Sequence, residues 1–123
     1  MALPAKLQND IRQYQRLQQD LSQISQQRMQ IDLKLRETTH TLEELKTVPD
    51  EAVIYRPIGG LLVKAQSKKE VLDLLTDDKE TLEVRVKALE RNENQLKERY
   101  TTMTKELSDA LQAAGVSPTG GAP

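Results

Sequence analysis

The stretch VIYRPIGGLLVK, residues 53–64, decides how the rest of the chain can fold. Two short runs of residues that favour β-strands flank a glycine pair, which is the pattern of a β-hairpin. Gly59 and Gly60 supply the positive φ angles of a tight primed turn, and Pro57 has no N–H to donate to a strand ladder. The sequence therefore predicts a hairpin over residues 53–65.

The residues before the hairpin carry the heptad repeat of a coiled coil. With Leu7 as the first a position, nine of the twelve a and d positions are apolar. The a and d residues are Leu7, Asp10, Tyr14, Leu17, Leu21, Ile24, Arg28, Ile31, Leu35, Thr38, Leu42 and Leu45. Pro4 suits the first helical position, and Pro49 disfavours a helical Val48, which predicts a first helix over residues 4–47.

The residues after the hairpin repeat this pattern, with eleven of thirteen a and d positions apolar. These positions are Leu72, Leu75, Lys79, Leu82, Val86, Leu89, Glu93, Leu96, Tyr100, Met103, Leu107, Ala110 and Ala114. Ser67 and Glu70 form a capping box, which predicts a second helix over residues 67–114. A second cap at Thr76 or Asp77 predicts a kink near 76–78. Gly115 suits a Schellman motif closed by Leu111 and Val116, with a flexible tail over residues 115–123.

The hairpin turns the chain back, so the two helical seams are expected to pair antiparallel. The alternative is one long rod that dimerises in parallel, but Pro49, Pro57 and the glycine pair oppose a continuous helix. The predicted fold class is therefore mainly α, a long antiparallel two-helix coiled coil joined by a single central β-hairpin. Residues 1–123 then form one domain.

Composition limits the function classes. The net charge of -1, from 18 basic and 19 acidic residues, offers no basic patch for nucleic acid or an anionic membrane. The absence of cysteine excludes a disulfide scaffold, and the N-terminus lacks the apolar region of a secretory signal. No long apolar run suggests a membrane span, so we expect a cytoplasmic protein.

Both faces of the predicted hairpin carry apolar side chains, which two flanking helices cannot cover together. An isolated two-stranded hairpin is only marginally stable in water, and its open edges can pair with other chains. Several copies pairing edge to edge into a shared sheet or barrel would remove those edges. The hairpin therefore predicts an oligomer.

The hairpin, the preceding glutamine-rich heptads, SKKEVLDLL and the charged helix containing LEVRVKALERNENQLKERY together resemble the β-type subunit of archaeal prefoldin. The resemblance covers roughly residues 3–116. It implies a hexamer of two α-type and four β-type subunits whose hairpins oligomerise into a β-barrel platform. It also implies an ATP-independent chaperone, a holdase, that captures unfolded proteins at the distal coiled-coil tips and transfers them to a group II chaperonin.

The same resemblance assigns two sets of site residues. The oligomerisation set in the hairpin is Val53, Ile54, Tyr55, Ile58, Gly59, Gly60, Leu61, Leu62 and Val63. The client-binding tip set is Leu3, Leu7, Ile11, Leu107, Leu111 and Val116. For Leu3, Leu7, Leu107 and Leu111 the alternative role is packing in the seam.

No catalytic residues, metal ligands or cofactors are predicted. His40 falls on a surface position of the first helix, and GGLLVK lacks the ending of a phosphate-binding loop. The acidic residues near 43–44 and 77–80 fit solvated helix surfaces or helix starts. Arg28, Thr38, Lys79 and Glu93 are interpreted as polar seam residues that set the register. The rival function is a non-catalytic coiled-coil scaffold or adaptor, and nucleic-acid binding is a distant third.

Overall fold

The computed structural model describes residues 3–115, which form two long helices and one hairpin. The elements are α1 (Ala5–Lys46), β1 (Tyr55–Ile58), β2 (Leu61–Lys64) and α2 (Lys68–Ala113). The chain divides into two compact units. The terminal unit contains residues 3–27 and 89–115, and the hairpin unit contains Arg28–Ala88. The mainly helical fold with a single hairpin agrees with the expected fold class.

Local hydrogen bonds define both ends of α1. The Pro4 carbonyl accepts the first helical bond, from the Gln8 amide at 3.0 Å, which places Pro4 at the N-cap, one position before the expected one. At the other end the Thr47 amide donates to the Glu44 carbonyl at 3.1 Å in a tighter turn. The helix ends there because Pro49 disfavours a helical conformation at the preceding residue.

The helices of the terminal unit run antiparallel. The Tyr14 hydroxyl lies 2.9 Å from Oγ1 of Thr104, and the Gln18 amide donates to the Tyr100 hydroxyl at 3.2 Å. A later residue of α1 thus meets an earlier residue of α2. The predicted a and d positions of both helices are buried or half-buried, except for the exposed Ala110 and Ala114. The heptad assignment therefore describes the packed face of each helix.

The two strands of the hairpin unit pair antiparallel, with Tyr55 opposite Lys64 and Ile58 opposite Leu61. Gly59 has a φ of 59° and is the only residue of the glycine pair with a positive φ. The expectation of positive φ at both glycines is therefore wrong for Gly60. A positive φ at the first turn residue alone is what a type II′ turn requires, and its twist matches that of the flanking strands.

The core of the hairpin unit lies where the hairpin meets the helix ends. Leu45, Ala65 and Val71 are buried together. The half-buried residues packed against them are Val48, Ile54, Leu72 and Leu75. The buried cluster thus contains one residue from each of α1, the hairpin and α2, and it joins these three elements.

Ser67 caps α2 as predicted, because its hydroxyl accepts a hydrogen bond from the Glu70 amide at 3.1 Å. The return bond differs from a capping box: the Glu70 carboxylate accepts from the Gln66 amide at 2.9 Å, not from Ser67. The helix continues through residues 76–78 without a second cap, since the Thr76 hydroxyl donates to the Leu72 carbonyl at 2.7 Å.

The C-terminal stop of α2 contains half of the expected Schellman motif. Gly115 has a φ of 80°, and its amide donates to the Gln112 carbonyl at 3.0 Å. This is the inner bond of the motif. The outer bond would involve Val116, which lies outside the described residues, as does the rest of the expected flexible tail.

Candidate assembly and client-binding surfaces

The hairpin exposes most of its apolar side chains in the single chain. Leu61 and Leu62 are 70% and 73% exposed. The other large apolar residues of the hairpin that are exposed are Val53, Tyr55, Ile58 and Val63, whereas Ile54 is half-buried against the core. Exposed apolar side chains that are clustered, and not scattered singly, mark interaction sites on protein surfaces.

The strand register assigns these side chains to two faces, because directly opposed residues share a face. Tyr55, Pro57, Leu62 and Lys64 form one face. The other face carries Arg56, Ile58, Leu61 and Val63. At the base of this second face, Ile54 and Ala65 enter the core, so the chain's own helices cover only that end.

Lys68, which no local sequence signal marks, links the start of α2 to the end of α1. Its Nζ donates to the Val48 carbonyl at 2.7 Å and to the Lys46 carbonyl at 3.3 Å. Asp50 lies 3.4 Å from the same ammonium group. The Lys68 side chain is only 12% exposed, whereas that of Asp50 is 92% exposed. The Lys68 ammonium group therefore supplies hydrogen-bond donors to carbonyls at the C-terminus of α1, where the helix dipole is negative.

Glu70 makes a second link at the base of the hairpin. Its Oε2 accepts from the Gln66 amide, and its Oε1 lies 4.0 Å from an Arg56 nitrogen in β1. Both side chains of the Arg56–Glu70 pair are partly exposed, so solvent weakens their attraction. The sequence showed Glu70 as a cap, but nothing local could show that Lys68 and Arg56 meet groups some 14 to 22 residues away.

An apolar groove of about 360 Å³ runs along β1 within the hairpin unit. Tyr55, Arg56 and Pro57 line it from the strand. The helices contribute Thr41, Leu45, Val71, Leu74, Leu75 and Asp78, and Ile54 closes it at the hairpin base. The chain's own helices therefore flank β1, whereas no residue of β2 lines this groove.

The structure places the tip set in two environments. Leu7 and Leu107 are buried, at 5% and 8% exposure, and therefore pack in the seam of the terminal unit. Leu3, Ile11 and Leu111 are half-buried and keep part of their surface accessible. Val116 lies outside the described residues. The seam role weighed for these residues thus fits Leu7 and Leu107 best.

A shallow groove of about 420 Å³ lies beside the buried leucines of the terminal unit. Leu7 lines it together with Pro4, Lys6, Asp10, Ala110, Ala113 and Ala114. Ala110 and Ala114 occupy predicted seam positions of α2 but are exposed, and the small side chains of the three alanines leave the groove open. The sequence did not indicate this groove, because alanine gives a weak signal for an exposed apolar surface.

Tyr14 and Tyr100 stack with their ring centroids 5.0 Å apart. The Thr104 hydroxyl donates to the Tyr100 carbonyl, so Tyr14 is the donor towards Thr104. The hydrogen bond with Tyr14, and then that from Gln18, lowers the pKa of Tyr100. When Tyr14 ionises, the Thr104 hydroxyl can turn to donate to the phenolate, which lowers the pKa of Tyr14, but the interaction with Tyr100, burial and the Tyr100 charge together raise it. The stacked rings and their hydrogen bonds therefore link α1 to α2 within the terminal unit.

Other titratable groups lie on the helices, at the surface or in the seam. No group of three or more histidine, aspartate or glutamate side chains there could hold a metal ion. His40 is exposed and lies 3.9 Å from Glu44 on the same helix. Glu93 is buried in the seam, 3.5 Å from the Lys97 ammonium. Neither described helix is long and apolar enough to cross a membrane.

The sequence matches the prefoldin subunit family over residues 8–114. It is 42% identical over 109 residues to prefoldin subunit beta of Archaeoglobus fulgidus, covering 89% of this chain and 93% of that protein. It is 39% identical over 119 residues to prefoldin subunit beta of Pyrococcus horikoshii, covering 97% of both.

The fold is similar to the crystal structure of the prefoldin beta subunit from Thermococcus strain KS-1. The TM-score is 0.79 at 36% sequence identity. The match covers 89% of this chain and 96% of that chain. The similarity thus includes both helices and the hairpin between them.

Proposed function

The chain belongs to the prefoldin family as a subunit of the β type, and from this premise we propose that it is an ATP-independent holdase subunit. It captures unfolded proteins with the terminal unit and assembles through the hairpin. The observation that carries the proposal is family membership across residues 8–114, with apolar surface concentrated on the hairpin. The prefoldin family is a family of chaperone subunits.

The hairpin is the proposed assembly surface. It is a two-stranded sheet, and six of its large apolar side chains are exposed. Burying such residues against neighbouring hairpins contributes about 25 cal/mol for each Å² of apolar surface removed from water. We infer that the partners are an α-type subunit and further β-type copies, two and four in a hexamer, whose strands form a β-barrel platform.

The terminal unit is the proposed client surface. Leu3, Ile11 and Leu111 are half-buried, and an open groove lies beside Leu7. Non-native proteins expose apolar segments of varied shape, and a shallow apolar groove can bury them without demanding one geometry. Leu7 contributes by lining the groove from the seam, Leu107 by packing in the seam, and Val116 belongs to the same proposed set.

Weak capture becomes effective when several terminal units act together. Linking binding sites on one assembly raises the local concentration, so avidity exceeds single-site affinity by about 10² to 10⁴. No nucleotide-driven step is needed for this gain. Transfer then follows when a group II chaperonin competes for the captured protein, and this role places the subunit in the cytoplasm.

Point variants in the terminal unit test the client surface. Leu3→Ser combined with Leu111→Ser removes partly accessible apolar groups without touching the buried pair. We expect the assembly, reconstituted with its α-type partner, to need about fivefold more protein to suppress aggregation of a denatured test protein without ATP. Light scattering measures the suppression, and circular dichroism confirms that helicity is retained.

Met29→Ser combined with Leu33→Ser is the matched control, because these residues are 61% and 57% exposed and belong to the hairpin unit. If both double variants lost aggregation suppression equally, any exposed apolar residue would be able to bind clients. That result would contradict the assigned client surface. A wild-type assembly that binds one folded partner but does not suppress aggregation would favour the scaffold or adaptor alternative.

A further inference from the structure

Another groove of the terminal unit, which we call the arginine groove, contains one arginine from each helix. Its volume is about 140 Å³. Its lining residues are Gln13, Arg16, Leu17 and Asp20 of α1 and Arg99 and Met103 of α2. Because liquid water occupies about 30 Å³ per molecule, a groove of this size holds a few waters or one short side chain. Its dimensions therefore suit a single functional group of a ligand.

The lining of the arginine groove carries a local positive charge. An arginine stays charged at any physiological pH, and Asp20 balances only one of the two guanidinium groups. Neither Arg16 nor Arg99 forms an ion pair or a side-chain hydrogen bond with another residue of the described range 3–115. The whole chain has a net charge of -1, so the positive charge belongs to this groove and not to the protein as a whole. The arginine donors are therefore available to an anionic ligand.

Apolar side chains lie beside these charges. Leu17 is buried, at 5% exposure, and Met103 is half-buried. A methionine side chain is flexible and polarisable, so it adapts to bound groups of different shape. Guanidinium groups bind carboxylates through paired hydrogen bonds, which neither an amide nor a hydroxyl group of a ligand can replace at equal strength. The arginine groove therefore suits a carboxylate carried on methylene groups, as in an aspartate or glutamate side chain.

The arginine groove lies on the same side of the terminal unit as the groove beside Leu7. In an antiparallel helix pair, the heptad g positions, each directly before an a position, flank one side of the seam. The g residues that line the two grooves are Lys6, Gln13 and Asp20 of α1 and Arg99 and Ala113 of α2. Glu106, the g residue between Arg99 and Ala113, lines neither groove. One ligand chain along this side therefore reaches both grooves.

The spacing of the two grooves matches a short extended peptide. From Leu7 to Arg16, and from Leu107 to Arg99, the helices advance by about 12–14 Å. An extended chain rises about 3.3 Å per residue, so about four residues cover this distance. An apolar residue at the tip and an acidic residue about four positions away can thus bind at the same time.

We propose that Arg16 and Arg99 form a carboxylate-binding subsite for acidic side chains of non-native client proteins. This inference rests on the proposed function and deepens it, since it adds a charge preference to the apolar client surface. Apolar contacts at the tip supply the general affinity for unfolded segments. The two arginines select, among those segments, the ones with an acidic residue at the matching distance.

Two labelled peptides test the subsite with the full wild-type chain. Both are unstructured and C-terminally amidated, and they carry a leucine pair followed about four residues later by glutamate in one peptide and glutamine in the other. Fluorescence anisotropy measures their binding. At low ionic strength we expect the glutamate peptide to bind about fivefold more tightly. A third peptide, with the glutamate directly beside the leucines, should lose this preference.

Arg16→Gln combined with Arg99→Gln should reduce the preference for glutamate to less than about twofold. Arg12→Gln combined with Arg91→Gln is the matched control. It removes the same charge from exposed positions, one on each helix of the terminal unit, that line neither groove. This control should keep the preference of the wild type, and circular dichroism checks that both double variants remain helical.

Equal binding of the glutamate and glutamine peptides by the wild type would overturn the proposal. An equal loss of preference in both double variants would also overturn it, because general attraction between charges would then explain the result. Displacement of the glutamate peptide by a single-stranded oligonucleotide at equal concentration would assign the arginines to nucleic acid instead.

Light scattering on the wild-type assembly separates this inference from the proposed function. Suppression of aggregation without a preference for the glutamate peptide would contradict only the carboxylate subsite. A preference for the glutamate peptide without suppression would contradict only the holdase function.

Discussion

Lys68 has the most connected side chain at the base of the hairpin. A single ammonium group serves two carbonyls near the end of α1 and lies close to Asp50. The first turn of α2 thereby stabilises the last turn of α1, across the residues that form the hairpin. Its neighbour Lys69 is exposed, so two adjacent lysines have different roles.

We expect Lys68→Ala to lower the free energy of unfolding by about 1–3 kcal/mol. The change leaves carbonyls near the end of α1 without their charged donor. Lys69→Ala is the matched control and should change stability by less than about 0.5 kcal/mol. Chemical denaturation at one fixed protein concentration measures both variants. Equal stability of the two would contradict the role assigned to Lys68.

At the scale of elements, the helices and the hairpin were predictable because their signals are local and repeated. Heptad spacing identified the packed faces of both helices, and Ser67 and Gly115 marked the start and end of α2. A second cap was expected at Thr76 or Asp77, but Thr76 bonds within the continuing helix, and the kink near residues 76–78 stays a prediction. Local capping signals are overridden where seam residues on both sides favour an unbroken helix.

The turn of the hairpin offers a test at the same scale. Gly59 has a positive φ and Gly60 does not, and an added Cβ would meet no atom within 4 Å at either position. Gly59→Ala should therefore destabilise the hairpin by about 1 kcal/mol through backbone strain alone, while Gly60→Ala should be nearly neutral. Amide exchange of the β-strand residues measures the effect. A larger loss for Gly60→Ala would contradict the type II′ assignment.

At the scale of the whole molecule, the sequence predicted the family and the two candidate surfaces, but it did not predict their detail. The exposure of the hairpin followed from its apolar faces. The burial of Leu7 and Leu107, and the groove beside them, depend on which residues of α1 and α2 meet in the terminal unit. The links made by Lys68 and Arg56 likewise depend on long-range contacts that no local pattern encodes.

The central claim is that the hairpin assembles the subunits and that assembly makes weak client capture effective. Tyr55→Asp and Leu62→Asp each place a charge on the exposed hairpin face, where burial against a neighbour would be costly. Neither change touches the helical seams, so the far-UV circular dichroism of both variants should remain mostly helical.

Native mass spectrometry of these variants, mixed with the α-type partner and paired with light scattering at equal subunit concentration, tests this claim most directly. We predict that the wild-type mixture forms a hexamer and suppresses aggregation without ATP. Neither aspartate variant should form the hexamer, and each should suppress aggregation at least about tenfold less than the wild type. An unchanged hexamer, or full suppression by unassembled subunits, would contradict the account.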